Sequence, residues 1–202
     1  MSAVATEALF STPRLDVVMI SPDVAPQADK AALAAPAFFE TEYGGPPEPG
    51  FALELLEAPP PPGVSRAAVF PLGLVEKGGS YIGIAHLVLG YPTETTGFLG
   101  LLLFDQSKQR KGYGKEFLDG IYGWARPHGI AFIRARLNPE NTPGKAFFDK
   151  MAEELGFDHP LIADELGFVA EWNPDLVKRV TEFELSTRTV NCLAGSTCST
   201  MC

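Results

Sequence analysis

One segment of the sequence concentrates residues that can bind an anion. Residues 104–115 read Phe-Asp-Gln-Ser-Lys-Gln-Arg-Lys-Gly-Tyr-Gly-Lys and hold four of the chain's sixteen basic side chains. The glycines at 112 and 114 leave room for a ligand to approach the backbone. A predicted helix begins there, and its first amides carry a partial positive charge that suits a pyrophosphate. The segment therefore predicts a site for a phosphorylated cofactor.

A Gly-x-Gly pair between a strand and a helix is also typical of a tight turn with solvated basic residues. Two common phosphate-binding motifs do not fit this segment. A dinucleotide fold requires Gly-x-Gly-x-x-Gly in a parallel βαβ unit, and a P-loop requires Gly-x-x-x-x-Gly-Lys-Ser/Thr. Because antiparallel strands are predicted before the loop, the context favours neither motif.

Regular elements must position this loop. The strand-like runs that precede it predict an antiparallel meander over residues 66–76, 81–91 and 96–105. An apolar period of 3.6 predicts a helix over 111–126, followed by a strand over 130–137 and a helix over 142–155 with Thr142 as its N-cap. Outside this region the sequence predicts a strand over 14–20, a helix over 27–43 broken at Pro36, a strand over 166–172, a helix over 174–180 and an edge strand over 181–185.

Charge and composition narrow the classes of partner. The formal net charge of −9 argues against a nucleic-acid binder, since neutralising phosphates requires clustered Lys and Arg. Apolar runs are far below the roughly 20 residues that span a bilayer, so we expect a soluble, cytoplasmic protein without a membrane partner. All three cysteines lie at or after position 192, which leaves no disulfide or thiolate metal site in the body of the chain.

The loop and its surroundings resemble the GNAT superfamily of acyl-CoA-dependent N-acyltransferases. Gln109-Arg-Lys-Gly-Tyr-Gly114 matches that family's Gln/Arg-x-x-Gly-x-Gly/Ala pyrophosphate loop. Trp124-Ala-Arg126 with Gly129 is similar to the family's passage from helix to strand. Asn141-x-x-Gly-x-x-Phe-Phe148 is similar to its Asn-x-x-Ala-x-x-Phe-Tyr motif, later closed by Gly156-Phe157. The resemblance covers residues 66–157.

The resemblance implies an α/β fold with a mixed, mostly antiparallel central sheet flanked by helices and splayed between the fourth and fifth predicted strands. It also implies that acetyl-CoA, or another acyl-CoA, binds in that splay as cosubstrate. Pantetheine would lie beside the backbone of Leu102 and Phe104, near Asn141 and Phe147. The other residues expected to contact the acyl-CoA belong to the loop: Gln109, Arg110, Lys111, Gly112, Tyr113, Gly114 and Lys115. A primary amine would then take the acyl group by direct transfer.

The catalytic groups are not identified by the sequence. Phe148 stands where many family members have a tyrosine that protonates the leaving thiolate, and a phenyl ring has no proton to give. A neighbouring tyrosine, water or solvent would have to substitute, or the domain binds acyl-CoA without turnover. His86 lies in an apolar run, where a packed structural role is favoured over a catalytic one. His128 and His159 have no nearby ligand partner, so no metal site is expected.

The domain is predicted to span residues 1–185, followed by a flexible Ser/Thr/Cys-rich tail over 186–202. The segment 183–202 weakly resembles a lanthipeptide precursor, with Cys192, Cys198 and Cys202 in a core of Ser and Thr; a disordered tail is the favoured alternative. The leading prediction is an N-acyltransferase for a small-molecule or peptide amine, acting as a monomer or homodimer. A non-catalytic acyl-CoA-binding module and a domain fused to a precursor peptide are the alternatives.

Overall fold

An eight-stranded sheet organises the molecule. A computed structural model describes residues 7–155, 161–164 and 167–172, with the backbone alone described from residue 152 onward. The strands are β1 (Ala8–Ser11), β2 (Leu15–Met19), β3 (Val69–Glu76), β4 (Ser80–Leu89), β5 (Thr96–Phe104), β6 (Phe132–Leu137), β7 (Leu161–Asp164) and β8 (Gly167–Trp172). Their order in the sheet is β1-β2-β3-β4-β5-β6-β8-β7, and β5 with β6 is the one parallel pair among these strands.

Helices cover both faces of the sheet. They are α1 (Ala25–Leu33), α2 (Pro36–Tyr43), α3 (Phe51–Glu57), α4 (Tyr113–Ala125) and α5 (Thr142–Leu155). Successive strand residues point to opposite faces, so Ile84 packs in a core with α1 to α3, whereas Ala85 packs in a core with α4 and α5. Among the described residues, no helix is long and apolar enough to cross a bilayer.

The expected architecture is confirmed. The meander of β3, β4 and β5 is antiparallel, and the helix predicted over 27–43 is broken before Pro36 as expected. The strand predicted over 166–172 is also present as β8. The helix predicted over 174–180, the edge strand over 181–185 and the tail lie outside the described residues.

Three details differ from the sequence expectations. Strands β1 and β7 were not predicted, because each has four residues and too few alternations to show a period of two. Helix α4 begins at Tyr113 rather than at residue 111, since Gly112 takes the left-handed conformation (φ 86°) before it. The side chain that caps α5 is Asn141 rather than Thr142: Asn141 Oδ1 accepts a hydrogen bond from the Gly144 amide at 2.8 Å.

Candidate acyl-donor site

A cleft opens where β5 and β6 separate. The two strands pair only from Thr96 with Phe132 to Leu99 with Ala135, although β5 continues to Phe104. Beyond Leu99 the edge of β5 that faces β6 has no partner among the described strands. This is the splay that was predicted between the fourth and fifth strands. Four elements supply the lining residues: Phe38, Glu42 and Tyr43 from α2, residues 99–102 from β5, residues 135–137 from β6, and Asn141, Gly144, Phe147 and Phe148 from α5 and the residue before it.

A β-bulge marks the start of the splay. His86 pairs with Leu101 and Leu87 pairs with Leu99, so Gly100 is the extra residue in β5. A bulge bends its strand and re-aims the neighbouring peptide groups. Here the bulge lies at the point where the pairing of β5 with β6 ends. Beyond it, Leu101 and Leu102 of β5 line the cleft.

The predicted phosphate loop leads directly into α4. Gly112 and Arg110 both have positive φ values, 86° and 59°, and Arg110 is the one non-glycine residue described with such a value. The Gly112 carbonyl accepts the Glu116 amide, which closes the first helical turn. The amides of Tyr113 and Gly114 lie in that first turn, where an α-helix provides no backbone acceptor. The loop thus presents free N–H groups at the positive end of a helix dipole.

Two loop residues close the loop onto neighbouring elements. Gln109 Nε2 donates to the Phe104 carbonyl at 3.0 Å, so this side chain ties the loop to the end of β5. A Cβ on Gly114 would lie 3.0 Å from Cε2 of Phe147, so the glycine permits α4 and α5 to approach closely. Both predicted residues therefore help to shape the site, and Phe147 sits between the cleft and the loop.

The basic residues near the loop divide into two groups. Lys108 is paired with Glu76 at 2.5 Å, and the Tyr113 hydroxyl also donates to Glu76. These two hydrogen bonds lower the pKa of Glu76, and the bond to Glu76 raises the pKa of Lys108. Arg110 and Lys111 are exposed on the loop. Lys108 thus ties the loop to β3 through Glu76. Arg110 and Lys111 are exposed and could contact a phosphate group.

Asn141 joins the two walls of the cleft. Its Oδ1 caps α5, and its Nδ2 donates to Glu42 Oε1 at 2.9 Å. Nearby, Asn138 Nδ2 donates to the Thr41 carbonyl at 3.2 Å. The end of α2 is therefore tied across the cleft to the β6–α5 loop. Nδ2 of Asn141 carries a second hydrogen that the Glu42 contact does not use.

Two aromatic residues concern the general acid for the leaving thiolate, which the sequence does not identify. Phe148 is buried, 6% exposed, and packs in the core beneath α5, so the structure places no hydroxyl there. Tyr43 lines the same cleft from α2 and is 63% exposed. Partial desolvation against its neighbours raises the pKa of Tyr43, and the carboxylates of Glu42 and Glu54 raise it further. Its hydroxyl is therefore protonated at neutral pH.

The two histidines in the described part of the chain, His86 and His128, show no catalytic arrangement. His86 is half-buried, its Nε2 makes no hydrogen bond within the described structure, and burial followed by the Arg66 charge lowers its pKa. It lies behind the bulge, with Nδ1 3.7 Å from the place a Cβ on Gly100 would occupy. His128 Nδ1 contacts the Trp124 carbonyl at 3.0 Å, and His159 lies outside the described residues. The described residues hold no cluster of His, Cys, Asp or Glu suited to a metal ion.

Sequence reasoning missed several residues that shape the site: Arg14, Glu42, Tyr43, Gly100 and Glu116. Gly100 and Glu116 lie close to the loop in sequence but belong to no motif. Arg14, Glu42 and Tyr43 lie far from the loop in sequence, and tertiary packing brings them to the cleft or to the loop. An isolated charged residue beside a turn, such as Arg14, gives no sequence signal for such a contact.

Comparison with solved structures shows the same fold. An acetyltransferase from Thermus thermophilus is 22% identical with a TM-score of 0.60, over 80% of this chain and 97% of that one. The PaiA N-acetyltransferase from Thermoplasma acidophilum, solved in complex with coenzyme A, is 16% identical with a TM-score of 0.54, over 79% and 98%. A GNAT-family acetyltransferase from Staphylococcus aureus is 10% identical with a TM-score of 0.53, over 79% and 98%.

The sequence itself also identifies the family. A comparison with proteins of curated function gives no significant match. The model of the acetyltransferase (GNAT) family matches residues 36–152, which is more than half of the chain and includes the cleft, the phosphate loop and α5 up to Ala152. The resemblance drawn from the loop and from the Asn141 motif is therefore confirmed. The chain belongs to the GNAT acetyltransferase family.

Proposed function

We propose that the protein transfers an acetyl or other short acyl group from acyl-CoA to a primary amine in the cleft between β5 and β6. The observation that carries this proposal is the junction of two features: an unpaired, bulged edge of β5, and free helix amides at the loop that follows it. The first suits an amide-bearing pantetheine arm, and the second suits a pyrophosphate. The coenzyme A complex of the Thermoplasma neighbour supports the same donor.

Each part of the donor has an assigned set of groups. The pantetheine arm would bind the backbone of Leu102 and Phe104 and the free N–H of Asn141, with Phe147 packed beside it. The pyrophosphate would accept hydrogen bonds from amides of the loop over 109–114. The exposed guanidinium of Arg110 and the ammonium groups of Lys111 and Lys115 would attract the 3′-phosphate of the acyl-CoA by their charge.

The chemistry requires one nucleophilic substitution at the thioester. The nitrogen of a neutral amine forms a bond to the carbonyl carbon, and the carbonyl oxygen develops negative charge. Backbone amides beside the Gly100 bulge would stabilise that oxygen, because the strand already holds them in a fixed orientation. The carbon–sulfur bond then breaks, the amine nitrogen loses a proton and the thiolate of CoA gains one. No covalent acyl-protein forms.

Tyr43 is the hydroxyl best placed to supply the thiolate proton. Phe148 has no acidic proton. Tyr43 lines the same cleft, and its raised pKa keeps its hydroxyl protonated at neutral pH. A thiolate is a fairly weak base, so the contribution of this proton is modest compared with positioning of the two substrates.

The buried Phe148 favours one alternative function, a binding module that holds acyl-CoA without turning it over. Other parts of the proposal stay predictions from the sequence. They are the acceptor, a small-molecule or peptide amine; the oligomeric state, monomer or homodimer; the cytoplasmic location; and the division into a domain over 1–185 and a tail over 186–202.

The test is a transfer assay. The protein is incubated with acetyl-CoA and a panel of amines, ranging from small amines to peptide N-termini, and CoA release and acetylated product are followed together. The proposal predicts equal amounts of both, with no mass increase on acid-quenched protein. Donor binding without release for any amine would favour the binding module. An acetylated protein intermediate would overturn direct transfer.

A further inference from the structure

The turn between β1 and β2 contacts α4 at the phosphate loop. The Thr12 amide donates to the Leu15 carbonyl at 2.8 Å and closes this turn. A Cβ on Gly120 of α4 would lie 2.7 Å from Cε2 of Phe10 and 2.8 Å from Cγ2 of Thr12. Only a glycine permits such a close approach. The hairpin therefore packs against α4 one helical turn beyond Glu116.

Glu116 is bound by this turn through both of its carboxylate oxygens. Oε1 accepts the Thr12 hydroxyl at 2.6 Å and the Arg14 amide at 2.7 Å, and Oε2 accepts Arg14 Nε at 2.6 Å. The Glu116 side chain is 13% exposed. The main chain of Arg14 is held from the other side as well, because its carbonyl accepts the Lys77 amide at 2.9 Å. Arg14 is thus fixed before its side chain reaches the loop.

The guanidinium of Arg14 then holds the loop itself. Its Nη1 donates to the Lys111 carbonyl at 2.9 Å, and its central carbon lies 4.2 Å from the ring centre of Tyr113. A Cβ on Gly112 would lie 3.4 Å from its Nη2. One side chain therefore contacts the carboxylate, a loop carbonyl and the first aromatic ring of α4 together.

The direction of one peptide group follows from these contacts. In a planar trans peptide the C=O and N–H bonds point in opposite directions. Because Arg14 holds the Lys111 carbonyl, the Gly112 amide points away from Arg14, to the other side of the loop. The left-handed conformations of Arg110 and Gly112 are the backbone turns that this arrangement requires.

We propose that Arg14 is a positioning residue for the acyl donor: by holding the Lys111 carbonyl it presents the Gly112 amide to the pyrophosphate. The inference rests on the proposed acyl-CoA site. Arg14 acts through the loop and does not itself contact the donor. The role depends on the guanidinium fork, which bonds Glu116 and the loop carbonyl from two different nitrogens. A lysine has the same charge but a single nitrogen, and it cannot make both contacts in this geometry.

The test compares Arg14→Lys and Arg14→Gln, with Lys30→Gln as a control that removes one exposed charge from α1. Acetyl-CoA affinity is measured by calorimetry. Amide hydrogen exchange over residues 109–114 is measured without any ligand. We expect both Arg14 variants to weaken acetyl-CoA binding about tenfold, as for the loss of one charge-assisted hydrogen bond network. Exchange in the loop should rise in both, while residues 118–125 of α4 and the Lys30→Gln protein stay unchanged.

Three results would overturn the proposal. Unchanged loop exchange in both variants would show that Arg14 does not hold the loop. Affinity retained in Arg14→Lys and lost in Arg14→Gln would show that charge, not the fork, matters. Faster exchange throughout α4 would show a general structural role. If the wild-type protein itself fails to bind acetyl-CoA, the donor site is wrong, and the exchange data then still decide whether Arg14 orders the loop.

Discussion

The two walls of the cleft are built by different interactions. On one side, the phosphate loop is held by charged and hydrogen-bonded contacts from the β1–β2 turn and from β3, through Arg14 and Glu76. On the α2 side, aromatic rings pack against each other, with Phe39 4.8 Å from Phe51 and 5.4 Å from Tyr43 between ring centres. We call the first side the donor wall, and it presents backbone groups. We call the second side the α2 wall, and it presents the side chains of Phe38, Glu42 and Tyr43 to the cleft.

The largest effect should come from a carboxylate placed in the donor wall. Gly112→Asp puts a negative charge at the N-terminus of α4, where the pyrophosphate would bind, and we expect acetyl-CoA affinity to fall about 100-fold or more. Asp tolerates a left-handed backbone better than most residues, which limits the loss of stability. The readout is a calorimetric titration together with a thermal melt.

Gly123→Asp is the matched control for this charge. Gly123 lies in the same helix, is exposed and has nothing within 4 Å of a Cβ position. The same change in net charge should therefore leave donor affinity unaltered. Equal losses of acetyl-CoA affinity in the two variants would show that the position of the charge at the loop does not matter.

A second prediction concerns the stability of the donor wall. Glu116→Gln breaks the hydrogen bonds to a charged carboxylate, and we expect a loss of about 2 kcal/mol in the free energy of unfolding at pH 7. Burial raises the pKa of Glu116, but the bonds from Thr12 and Arg14 outweigh burial and lower it below 4.5. The stabilisation is thus present above pH 4.5 and is lost as the pH falls through the folded-state value. Urea melts of the variant should show a shallower loss between pH 6 and pH 3, and an unchanged slope would contradict the assignment.

The third prediction concerns Tyr43 of α2 and its effect on kcat. Tyr43→Phe removes the hydroxyl that would protonate the thiolate, and we expect kcat to fall about tenfold while the KM for acetyl-CoA stays unchanged. Tyr91→Phe, at the β4–β5 turn, serves as the control. A tenfold rise in KM with unchanged kcat would instead make Tyr43 a binding residue.

The smallest effect is expected from His86, which lies behind the β5 bulge, and it concerns the free energy of unfolding. Burial, and then the Arg66 charge, lower the pKa of His86 below 6.5, so the unfolded chain binds a proton more readily than the folded one. Stability should therefore decline as the pH falls from 6.5. His86→Gln should change stability at pH 7 by about 1 kcal/mol or less and remove this decline. A large loss of kcat in this variant would show that His86 takes part in the reaction.

The donor wall could be predicted in outline from the sequence because its function is carried by the backbone. Glycines at 112 and 114, a helix start and a preceding strand are local patterns, and they predicted the loop. Together with the motifs at Trp124 and Asn141 they carried the resemblance to the family, and the resemblance in turn implied the splay. Binding by backbone amides depends little on which side chains surround them. The sequence did not predict the side chains that support the loop, since Arg14 and Glu116 are 102 residues apart in the chain.

The α2 wall could not be predicted in the same way. Its aromatic packing joins α2 to α3 through Phe39 and Phe51. The hydrogen bond from Asn141 to Glu42 joins α2 to a residue 99 positions later in the chain. Neither contact is encoded by a local period. Asn141 shows the limit clearly: its motif identified the residue, but not that one of its N–H groups is directed to Glu42.

The most direct test of the central claim is a crystal structure of the protein grown with CoA. The account predicts the pantetheine arm in the cleft between the edge of β5 at Leu102 and the side chain of Asn141. It also predicts the pyrophosphate against the amides of Gly112 to Gly114. CoA bound elsewhere, or a cleft that stays empty at saturating CoA, would contradict this prediction.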